Sequence, residues 1–252
     1  MRWAVALTLS SSLAAFSLSG IAGAPSDKNE KPKPQGTQDI DSGSFGVFIK
    51  GQRVATETFS VEQRSGTSII KSTLKEIGPP DPVSQKSDLE ISGSGELLRY
   101  EWNQSNGGSL TVLPNNDFLL EKISTATSTK PAEQSFLLGS TTNILDNNFF
   151  VHREVLAWHF LVAACKPEGG GWKCQQGPAE FGALVPQDRV SMPVRMEVIG
   201  KEKVTIRGAE HNLLRLNLSG EAFEWSLWVD DQDHFKLMRV TIPADNTEVI
   251  RD

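Results

Sequence analysis

The stretch "SFGVFIKGQRVATETFSVEQ", residues 44–63, decides how the rest of the chain is read. Two extended runs flank a turn at Lys50–Gly51–Gln52. In the second run Ala55, Phe59 and Val61 fall on one face and Thr56, Thr58 and Ser60 on the other. That period of two is the pattern of a half-buried strand, and the pair predicts a β-hairpin.

The same habit continues along the chain. A third strand is expected in "TSIIKSTLKEI", followed by "SDLEISGSGELLRYEWNQ" and "SLTVLPNNDFLLEKIST", with turns near Ser105–Gly108 and Pro114–Asp117. The C-terminal part repeats it in "VSMPVRMEVIGKEKVTIRG", "NLLRLNLSG" and "EAFEWSLWVDDQDHFKLMRVTI". Evenly spaced strands joined by hairpins predict a mainly β protein built on a single antiparallel meander. No internal repeat points to a propeller or solenoid.

One stretch breaks the pattern. In "DNNFFVHREVLAWHFLVAAC", residues 146–165, the apolar residues recur at helical spacing, with Asp146 as the expected N-cap. A large sheet that curls needs its concave face filled, and this helix is expected to pack there. At 100° per residue His152 and His159 share a stripe with Leu156 between them, whereas Glu154 points away. Two turns separate the histidines by about 10 Å, too far for one metal ion. They are therefore expected to be buried imidazoles or to line a cavity, and no metal is expected. A proton-transfer role needs one of them to face a pocket.

Outside this core the chain carries two other signals. "WAVALTLSSSLAAFSLSGIAGA" behind Arg2 has the layout of a secretory signal peptide, assigned to residues 1–24; a transmembrane helix is the alternative. Residues 25–43, rich in Pro, Lys and small polar residues, read as a disordered linker, with the β-rich domain at 44–252. Cys165 and Cys174 bracket "KPEGGGWK" and are expected to pair in an oxidising compartment. Export to the periplasm or the extracellular space follows, with no later membrane span. The net charge of −6 argues against nucleic acid as a partner.

Motifs for catalysis are scarce. No Walker loop, dinucleotide fingerprint or HExxH occurs, "SGSG" at 92–95 is not a nucleophile elbow, and "DDQD" at 230–233 lacks the glycine and glutamate of a calcium loop. No cofactor is expected. Asn103 and Asn217 lie in glycosylation sequons. On one strand Trp225 reads as core, while Trp228 faces solvent or a second covered surface, where it could stack on a ligand.

The first hairpin, the middle "LDNNFFVHREVLAWHF" and the late "FEWSLWVDDQDHFKLMRV" together resemble exported bacterial proteins of unknown function. Their antiparallel sheet is similar to the half-barrels of the lipoprotein carriers of the cell envelope. The resemblance implies a curved sheet with a hollow and brings no catalytic residue with it. Those carriers use several covering helices, whereas this chain offers one and adds a cysteine loop.

Two functions follow as expectations. A non-enzymatic binding protein would hold a lipid or other apolar small molecule in a cavity lined by Phe149, His152, Leu156, His159, Phe160 and Trp228. A structural module that binds another envelope protein would instead have a filled core. An enzyme of hydrolase type, using His152 or His159, comes third.

Overall fold

The computed structural model describes residues 36–78, 82–127, 130–169, 171–175 and 177–252. The expected signal peptide and most of the expected linker lie outside these residues. The chain forms β1 (Gln38–Ile49), β2 (Gln52–Arg64), β3 (Thr67–Glu76), β4 (Ser84–Ser92), β5 (Leu97–Gln104), β6 (Ser109–Asn115), β7 (Phe118–Ser124), β8 (Ala132–Phe136) and β9 (Asn143–Ile144). Helix α1 (Val151–Ala164) follows, then β10 (Cys165–Glu168) and β11 (Gly171–Cys174). The last strands are β12 (Ala179–Val185), β13 (Val190–Ile206), β14 (Ala209–Ser219), β15 (Glu224–Asp230), β16 (Lys236–Ile242) and β17 (Thr247–Arg251).

The protein is mainly β, with a large antiparallel sheet that does not close. Its fifteen strands run β8-β7-β6-β5-β4-β3-β2-β1-β17-β16-β15-β14-β13-β12-β9. The single meander expected from the sequence is in fact two meanders. The first (β1–β8) and the last (β12–β17) are joined side by side where β1 pairs with β17, from Phe45↔Arg251 to Ile49↔Thr247. The pairing of β9 with β12 is parallel, and the long connection through α1 between them is what a parallel pair requires.

The first hairpin forms as its alternation predicts. Ile49 pairs with Gln52 across a two-residue turn in which Lys50 and Gly51 both have positive φ, 51° and 78°. That turn type matches the right-handed twist of the flanking strands. Strand β1 begins at Gln38, inside the stretch read as linker, because the β2 ladder reaches that far: Gln38 pairs with Gln63 and Asp41 with Val61. Asp41 is also buried against Arg251, which donates to both its oxygens at 2.6 and 2.7 Å. A polar composition therefore did not prevent pairing.

One sheet face and the helix share a continuous apolar cluster. It contains Phe45, Phe59, Ile70, Leu110, Phe149 and Phe160, with Phe45 and Phe59 stacked at 4.9 Å. On the other face Val204, Ile206, Leu213 and Trp228 form a second, smaller cluster. Along β15 the alternation therefore separates Trp228 from its neighbours Leu227 and Val229, which belong to the first cluster.

Cys165 and Cys174 are directly opposed in the β10–β11 hairpin and form a disulfide. Closing a loop of this length removes about 2–3 kcal/mol of chain entropy from the unfolded state. Reduction should lower the unfolding free energy by that amount in urea titrations with and without dithiothreitol. Identical midpoints would show that the hairpin lies outside the cooperative unit. Among the described residues no helix is long and apolar enough to cross a membrane.

Candidate functional site

Helix α1 begins five residues later than Asp146. Its N-cap is Phe150, which offers no side-chain bond. The amide hydrogens at the start of the helix, which have no partner within it, are satisfied from across the core instead. Glu57, on the apolar face of β2, accepts from the backbone N–H of Phe150 at 2.7 Å and of Val151 at 3.3 Å, and from the Ser72 hydroxyl at 2.7 Å. A carboxylate at a helix N-terminus meets both the orphan donors and the positive end of the dipole. Burial nevertheless dominates, and the Glu57 carboxyl is pushed up to about 7.

Asp146 belongs to a different part of this polar cluster. Its carboxylate accepts from Tyr100, from Gln187 and, at 2.7 Å, from the Asn148 N–H. Burial raises its pKa. Arg153 is fully buried: one guanidinium nitrogen donates to the carbonyls of Asp146 at 2.5 Å and Phe149 at 2.7 Å. Its charge lies 4.8 Å from the Phe150 ring centre and 4.7 Å from that of Trp225. Arg153 thus ties the irregular 146–150 segment to the first helical turn.

The expectation for Glu154 holds in direction. His152 faces β4, with Nε2 3.4 Å from the Ser87 hydroxyl, whereas Glu154 accepts from the Leu237 N–H at 2.9 Å and from Arg251 at 3.3 Å. Both residues are buried, so the helix meets protein on opposite sides. Burial raises the Glu154 pKa well above the usual carboxyl value. His152 is lowered to about 3 by burial and by the Arg153 charge, which makes it a weak base. Among the described residues no carboxylate bonds to its Nδ1, where a catalytic triad would have its orienting third member.

A cleft of about 440 Å³ opens beside the helix. His152, Leu156 and His159 line it, together with Leu89, Leu97 and Ile144 from the sheet. The turn at 92–95 and the exposed Val162 and Ala163 lie toward its mouth. Gly95 has φ +85°, and a Cβ there would come within 3.1 Å of the His159 ring, so glycine is what lets the turn lie against the imidazole.

Three of the residues named from the sequence are not in this cleft. Phe149 is wholly buried near His152, their ring centres 5.8 Å apart. Phe160 packs edge-on against Phe181 at 6.3 Å. Trp228 is on the other sheet face, its indole N–H donating to Glu202 at 3.1 Å and its ring flanked by Arg239 and Arg215 at 5.0 and 5.5 Å. Among the described residues no cluster of three or more potential ligands could hold a metal ion.

The sequence reading overlooked Glu57, Arg153 and Tyr100. Glu57 did leave a signal, because it interrupts the apolar row Ala55–Phe59–Val61. The partners of Arg153 and Tyr100 come from distant segments and leave none. Comparison with family models, curated proteins and solved structures found no match.

Proposed function

We propose that this chain is an exported, non-enzymatic binding protein. In this reading its sheet curls around α1 and holds an apolar small molecule in the cleft beside His152, Leu156 and His159. The observation that carries it is topological. Strands β8 and β9 stand at opposite ends of the fifteen-strand order, yet only residues 137–142 join them. Seven extended Cα steps span about 25 Å, whereas a flat sheet of fifteen strands would be about 65 Å across. Contacts between distant strands agree: Arg189, between β12 and β13, lies 3.1 Å from Glu121 on β7, and Gln187 donates to Tyr100 on β5 at 3.4 Å.

The burial of α1 supports its place in the hollow. His152, Arg153, Glu154, Leu156 and Ala157 are all buried, and at 100° per residue they span about 200° of the helix circumference. The disulfide supports an oxidising compartment.

A titration with the neutral dye N-phenyl-1-naphthylamine tests the reading. Saturable uptake at one site is expected. Ala163→Trp at the exposed mouth should weaken it at least tenfold and leave the melting temperature unchanged. No uptake, or uptake indifferent to that substitution, would contradict the proposal. It would favour instead a module that binds an envelope protein, for which the unpaired edge of β8 and the 80% exposed Leu137 beside it are the supporting features.

A further inference from the structure

We infer that the cleft selects a neutral amphiphile carrying a hydroxyl group, such as a long-chain alcohol, prenol or sterol, whose O–H donates to Nε2 of His159. This deepens the binding role proposed above and rests on it. The argument is a chain of hydrogen bonds with fixed direction. The carbonyl of Gly182 can only accept, so the Asn143 side chain presents Nδ2 to it, at 3.4 Å. That orientation leaves Asn143 Oδ1, again an acceptor, 3.3 Å from Nδ1 of His159. The neutral ring therefore carries its hydrogen on Nδ1, and Nε2 is left as an acceptor. Among the described residues no hydrogen bond is formed by this Nε2.

The rest of the cleft agrees. Among the described residues no lysine, arginine, aspartate or glutamate lines it. A buried carboxylate or phosphate would find no cation, and an ammonium would find no anion. Leu89, Leu97, Ile144 and Leu156, all nearly inaccessible, provide an apolar floor for a hydrocarbon chain. Half-buried His159 and the exposed Ser94 stand farther out, where a polar head would sit.

The test compares 1-hexadecanol, its methyl ether and hexadecanoic acid at pH 8.5, by displacement of N-phenyl-1-naphthylamine. The alcohol should bind about tenfold more tightly than either, the worth of one hydrogen bond in a sheltered site. His159→Leu should abolish that preference while the ether still binds. In the unmodified protein, the Nε2 nitrogen resonance of His159 should start in the acceptor range and shift on addition of the alcohol. Equal affinities for alcohol and ether, or an Nε2 that already bears hydrogen, would overturn the hydroxyl selection and leave the apolar cleft standing. Failure of all three to displace the dye, where the dye itself binds, would overturn the selection as well. Failure of the dye to bind would sink both readings.

Discussion

Replacing Arg153 with alanine should lower the unfolding free energy by about 3–5 kcal/mol, the usual cost of removing one partner from a buried charged cluster. The guanidinium is 1% exposed and supplies donors to two backbone carbonyls. It also supplies the positive charge near the Asp146 and Glu57 carboxyls. Burial pulls its pKa down to about 10, which still leaves it charged at neutral pH. Without it, the 146–150 segment loses its tie to the helix and two buried acids lose their counter-charge. Methionine would restore volume without restoring either interaction, so Arg153→Met should remain destabilised. Glu57→Gln in that background should recover part of the loss, since it removes one of the stranded acids. Urea unfolding followed by tryptophan fluorescence measures both. A change under 1 kcal/mol for Arg153→Ala would show that the cluster does not anchor the helix.

The second large effect is a dependence of stability on pH with two opposed limbs. Glu57 is raised by burial from 4.5 to about 7. Its contribution is therefore complete below pH 4.5 and is lost as pH rises through 7, a change of about 3 kcal/mol. His152 is lowered from 6.5 to about 3, first by burial and then by Arg153. Its contribution is present above pH 6.5 and is lost as pH falls through 3, a change of about 5 kcal/mol. Between 4.5 and 6.5 the two slopes oppose each other. Below 4.5 the histidine acts alone of the two, and stability should drop. His152→Phe should flatten that acid limb. Glu57→Gln should gain about 3 kcal/mol relative to the unmodified protein between pH 4.5 and pH 8. Parallel pH profiles for all three proteins would contradict this assignment.

These groups also show where sequence reasoning succeeds and stops. Alternation alone placed Ala55, Phe59 and Val61 on one face, and set Trp228 apart from the core face of its strand. It located α1 because a period of 3.6 stands out among periods of two. It misplaced the start of the helix because Asp146 has the residue type of a cap, while its real partners, Tyr100 and Gln187, lie 46 and 41 positions away. Glu57 caps the helix from 93 positions away. The cleft residues were half legible for the same reason: His152, Leu156 and His159 follow from one helical stripe. The directions taken by Phe160 and Trp228 depend on β12 and on the β13–β14 hairpin.

The proposed binding role rests on a sheet that curls around α1. Spin labels at Ser135→Cys on β8 and Ser191→Cys on β13 report that curl directly by pulsed dipolar spectroscopy. Both sites are exposed, and the native cysteines are already paired. The short connection between β8 and β9 predicts a main distance below about 40 Å. A main distance beyond that, toward the roughly 58 Å of twelve uncurled strand spacings, would contradict the account.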